Sequence, residues 1–132
     1  MRSDTLASTA VAGQPVHSDE TTRLISSEKV DGTAVYNGAG DRLGTVHHLM
    51  IDKYSGRVEY AVMSFGGFLG IGESYNPLPW RMLNYDTRLE GYVVDIDRNR
   101  LERAPRYTPS SAPDWTDRGY RDRLDEYWVP PV

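Results

Sequence analysis

No cysteine occurs in the chain, which excludes disulfides, thiolate metal sites and cysteine nucleophiles together. Long hydrophobic runs are also lacking. No apolar stretch approaches the roughly 20 residues that span a bilayer, so no membrane span is expected. Met1 to Ala12 hold one arginine, but Ser3, Asp4 and Thr5 interrupt the apolar run that a secretory signal needs. On these grounds the chain is read as cytoplasmic. An excess of positive charge is missing too. The formal net charge of -4 argues against nucleic acid as the main partner, because phosphate binding draws on clustered lysine and arginine.

The 132 residues suit one domain with a modest core and tails, and 39% hydrophobic with 26% charged residues suits a folded chain with polar ends. Residues 1–22 are rich in Ser, Thr, Ala and Gly without helical or strand periodicity, which predicts a mobile leader. A barrel domain is expected over residues 23–107. Residues 108–132 then form a proline-rich connector and a carboxyl-terminal helical segment.

Within the central domain, Ser26 to Val30 reads as a helical turn and Thr33 to Tyr36 as a first strand. Asn37 to Asp41, with two glycines, is a tight hairpin connection. Leu43 to Asp52 is the second strand, but its apolar residues change parity partway. Either both faces are covered or a bulge near His47 and His48 shifts the phase. After the turn at Ser55 and Gly56, Val58 to Phe65 is apolar on both faces, as a central strand should be. Tyr75 to Trp80 is extended, and Pro77 and Pro79 confine it to an edge or a seam. A brief turn follows, and Gly91 to Ile96 is the last clear strand. Asp97 caps a short helix through Leu101, and Asp114 caps a helix over Trp115 to Tyr127. The expected fold is all-β, a small closed antiparallel barrel of about six strands with a short helical tail.

No residue set converges on chemistry, and no catalytic, cofactor-binding or metal-binding residue is assigned. His47 and His48 are adjacent in a strand, so their rings are expected on opposite faces, unable to share an ion. Asp95 and Asp97 share a strand parity but have no nucleophile, oxyanion donor or metal cluster beside them. Gly66 to Gly72 suggests a phosphate loop, yet Glu73 to Pro77 cannot open the helix such a loop requires.

Five segments resemble the PRC-barrel family in order and spacing: Asp41 to Val46, Ser55 to Val62, Gly66 to Gly72, Pro77 to Trp80, and Gly91 to Asp95. The resemblance covers roughly Leu24 to Tyr107. It implies a small β-barrel like those in the cytoplasmic domain of the photosynthetic reaction centre H subunit and in a ribosome-maturation factor, which dock on larger assemblies without catalysing a reaction. Neither the membrane helix of the first nor the partner domain of the second is expected from these residues, so only the generic interaction role is expected to carry over.

The leading functional expectation is a non-catalytic protein-interaction barrel that self-associates, as a dimer, and docks on an unidentified protein. Its surface would be Phe68, Leu69, Ile71, Trp80, Trp115, Tyr127 and Trp128, more large apolar groups than one small barrel needs inside. The competing reading is that the tail covers its own barrel. A ribosome or RNA role would rest on Arg81, Arg88, Arg98, Arg100, Arg103 and Arg106, but the interleaved Asp86, Glu90, Asp95, Asp97 and Glu102 favour a solvated mixed-charge face. A small-ligand or acid-base enzyme domain is the remaining alternative.

Overall fold

The computed structural model describes residues 20–65 and 74–128. The chain divides into two compact units, residues 1–30 and 31–132. In the first, Thr21 Oγ1 accepts from the Arg23 and Leu24 amides, Lys29 pairs with Glu20 at 2.6 Å, and Ser27–Val30 forms the short helix α1.

The second unit is built on six strands: β1 (Ala34–Asn37), β2 (Arg42–Ile51), β3 (Val58–Phe65), β4 (Ser74–Pro79), β5 (Asn84–Asp86) and β6 (Gly91–Val94). Three of its turns use the same device, a side-chain oxygen at a strand end that captures amides just beyond it. Asn37 Oδ1 accepts from Ala39 and Asp41, Asp52 Oδ1 from Tyr54 and Ser55, and Asp86 Oδ1 from Arg88 and Leu89. A carboxylate or amide at that point offers the backbone a local partner, so the strand stops and reverses.

The sheet order is β4-β3-β2-β1-β6-β5. Every neighbouring pair is antiparallel except β1 and β6, which run parallel with Val35 opposite Tyr92. This corrects the expectation of a wholly antiparallel barrel. The cause lies at Trp80–Met82, a 3-10 turn that bends the chain without reversing it. β4 and β5 therefore point the same way, and the β5–β6 hairpin reaches the free side of β1 with β6 in the parallel sense. Those few residues also tether the two ends of the ladder, so the sheet must curl. Among the described residues no strand pairing joins β4 to β5, so the ladder does not close into the hydrogen-bonded ring expected of a closed barrel.

Two glycines permit close strand approaches, Gly44 of β2 toward β3 and Gly91 of β6 toward β1. A Cβ on Gly44 would overlap the Ser64 carbonyl oxygen, and one on Gly91 would stand 2.7 Å from the Ala34 carbonyl oxygen.

β3 is buried on both faces, with Tyr60, Ala61, Val62 and Met63 all in the core. Its outer side is covered by the chain's own later segments. Tyr107 forms a two-bond bridge with Tyr75 on β4 (2.8 and 3.0 Å), extending the sheet by one residue. Helix α2 (Arg98–Glu102) begins at Asp97, whose carboxylate accepts from the Arg100 amide at 2.7 Å, as expected. Leu101 is buried, and its carbonyl receives the amide of the buried Asn76. Helix α3 (Arg118–Trp128) packs against β4 through Leu124 and Trp128. It starts later than the sequence suggests. Asp114 instead holds a turn at Thr116, while the Asp117 carboxylate accepts from the Gly119 amide and opens the helix.

Candidate functional site

The strand β2 ends in Met50, Ile51 and Asp52, and the start of β3 lies alongside it. Trp115 and the exposed side of α3 stand opposite, leaving an open groove of about 460 Å³. At its floor the Tyr60 and Trp115 rings meet with centroids 5.5 Å apart and planes tilted by 47°. Tyr120 backs Trp115 edge-on at 5.4 Å. The Tyr60 hydroxyl donates to Asp125 Oδ1 at 3.2 Å. Burial, then the Asp125 charge and this hydrogen bond, push the Tyr60 phenol up to about 12. Tyr60 is therefore a fixed donor at neutral pH, not an acid. Asp52, at the groove's edge, is held below the usual carboxylate range by the Ser55 and Tyr54 amides and stays charged. Ile51 keeps half of its surface in solvent, and Tyr54 at the hairpin tip is 92% exposed.

A second cluster lies further along β2. The pairing slips by one residue between Val46, opposite Met63, and His48, opposite Val62, so His47 is the extra residue of a bulge. The expectation of opposite faces fails for this reason: the two rings meet edge to face at 5.0 Å, with their Nδ1 atoms 2.7 Å apart. The Tyr75 hydroxyl lies 3.2 Å from His47 Nε2, and its ring stacks on His47 at 4.4 Å. Among the described residues no group of three or more His, Cys, Asp or Glu is placed to hold a metal ion.

The residues expected on an interaction surface have diverse positions. Phe68, Leu69 and Ile71 lie outside the described residues. Trp80 is half-buried, its ring edge-on to Tyr92. Trp115 is half-buried in the groove floor. Tyr127 is half-buried and donates its hydroxyl to the Arg100 carbonyl. Trp128, expected outside, is 3% exposed, with the Arg100 guanidinium 5.3 Å from its ring centroid. Of the four that are described, only Trp115 lines the groove. The arginines proposed for RNA do not form one free strip either. Arg100 donates to the Tyr127 and Trp128 carbonyls, and Arg98 donates to the Arg42 carbonyl while lying over Phe65.

Sequence reasoning missed Tyr60, Ile51 and Asp125 as groove residues. Tyr60 and Ile51 each sit in an apolar strand run, where nothing local marks Ile51 as the one left in solvent or Tyr60 as the one beneath Trp115. The only available signal was Ile51 directly before the polar turn Asp52 to Gly56.

The curled sheet with its tail folded over β4 defines a β-sheet module with an open groove and no assembled reaction centre among the described residues. A model of the PRC-barrel domain matches residues 23–101, more than half of the chain, and the chain belongs to that family. Compared with curated proteins, it has no match. PRC-barrels are in general non-catalytic domains that mediate protein interactions. No helix among the described residues is long and apolar enough to cross a membrane.

Proposed function

We propose that this chain is a non-catalytic interaction module that docks on a larger protein assembly through the groove between the β2–β3 hairpin and α3. The observation that carries this reading is the half-exposed Ile51 beside the half-buried Trp115 ring, which rests on the buried Tyr60. Apolar and aromatic groups left in solvent at the edge of a concave site are what protein contacts use, and aromatic anchors dominate such contacts energetically. Family membership supports the same reading.

A photo-crosslinking residue placed at Ile51 in the living cell tests it. Adducts with another polypeptide, absent when the same residue replaces the exposed Ala39 in the β1–β2 turn, are the expected result. Equal labelling at both positions, or none at Ile51, overturns it.

Self-association is a second reading, favoured by the exposed Tyr85 and Leu89 on the β5–β6 hairpin at the sheet's end. Light scattering of the full chain would then give a dimer mass that Leu89→Arg reduces to the monomer. A monomer mass for the unaltered chain removes this reading.

A further inference from the structure

The groove of about 460 Å³ is large enough for one or two side chains, so a loop or peptide segment fits it better than a folded surface does. Its floor is the half-buried Trp115 ring resting on the buried Tyr60, and the π-face that Trp115 offers attracts cations. Its walls hold Asp52, Glu59, Asp122 and Asp125 against Arg118 and Arg121, an excess of two carboxylates (four minus two). Asp122 and Asp125 are three residues apart on α3 and so share one face of that helix. Carboxylates close to aromatic faces are the combination that holds a guanidinium, by charge-assisted hydrogen bonds at its edge and stacking on its plane. The half-exposed Ile51 next to this ring adds a contact for an apolar neighbour of that cation.

Resting on the docking role proposed above, we infer that the groove recognises an arginine flanked by apolar residues in a segment of a protein partner. The guanidinium lies on the Trp115 ring, facing the Asp122 and Asp125 side, and the apolar neighbour covers Ile51. Charge complementarity selects this occupant over an acidic segment, which would meet the carboxylate excess.

The test titrates the full chain with acetyl-Leu-Arg-Leu-amide, acetyl-Leu-Glu-Leu-amide and N-acetylarginine amide, following the Trp115 indole N–H by NMR. The arginine tripeptide should shift that signal saturably, bind more tightly than N-acetylarginine amide, and weaken in high salt. The double variant Glu59→Gln, Asp122→Asn changes two exposed residues and should weaken the tripeptide by about 3- to 10-fold with an unchanged melting temperature. The inference is overturned if the glutamate tripeptide shifts the indole equally, if the arginine tripeptide leaves it unmoved, or if the double variant binds like the unaltered chain. Tighter binding of the free amide than of the tripeptide points to a small cationic ligand and also overturns it. Failure here with adducts at Ile51 intact removes only the arginine specificity, whereas loss of those adducts removes the docking role itself.

Discussion

His47 and His48, neighbours in one strand, bring their Nδ1 atoms to 2.7 Å because the bulge turns both rings to one side. Only one proton fits between the two nitrogens: with one N–H the contact is a hydrogen bond, and with two it is a repulsion. Burial, and then the His47 charge, lower the His48 pKa below 6.5, with Asp31 pulling the other way and Tyr75 occupying the far side of His47. In the unfolded chain His48 takes up its proton near the ordinary value. Below that pH the unfolded state binds more protons than the native state, so stability is lost as pH falls through this window. Melting temperature should therefore drop from pH 7.5 to pH 5.5, and part of that drop should vanish in His48→Gln. In His47→Ala, the His48 resonance should titrate at a higher pH than in the unaltered chain. An unmoved His48 titration would show that the two rings do not interact.

The tail should behave as part of its own sheet. Leu124 is fully buried, and Leu124→Ala should destabilise the chain by about 2–5 kcal/mol in urea denaturation, against less than about 0.5 kcal/mol for the exposed Glu126→Ala. If α3 packed on a second copy instead, the loss would depend on protein concentration.

Two glycine-to-alanine changes should have opposite signs. Gly44→Ala drives a methyl into the Ser64 carbonyl and should cost about 2 kcal/mol or more, because the backbone of both strands must shift. Gly119→Ala, in the first turn of α3, meets the end of Arg123 and, at 3.2 Å, the Asp117 carboxylate that the Gly119 amide holds; both side chains can give by a few tenths of an ångström, so the change should gain up to about 0.5 kcal/mol. Thermal melts of the two variants check this.

Glu90 holds a φ of 53°, the left-handed region, in the β5–β6 turn. Glu90→Asn relieves most of that strain without glycine's extra backbone freedom, and should raise stability by about 0.5 kcal/mol. A lower melting temperature would mean that the Glu90 side chain contributes something the backbone does not explain.

Much of the fold was legible along the chain. The strands β1, β2, β3, β4 and β6 lie where the alternation and turn residues put them, Asp97 caps α2 as read, and Pro77 and Pro79 mark an edge strand. The candidate groove was almost illegible. Trp115 was named for its size, but Tyr60, Ile51 and Asp125 come from three different elements that only the folded sheet brings together.

What the sequence determined by itself acts over a few residues: turn oxygens at Asn37, Asp52 and Asp86 catch amides two to four positions away, and apolar spacing sets which strands need cover on both faces. The tertiary structure alone decided three other things: that Trp80–Met82 bends rather than reverses and so makes β6 parallel to β1, that a slipped register sets His47 against His48, and that Arg100 and β4 draw Trp128 inward. These depend on which distant segments become neighbours, and local propensity carries no record of that choice because the contacts that settle it form only when the whole sheet does.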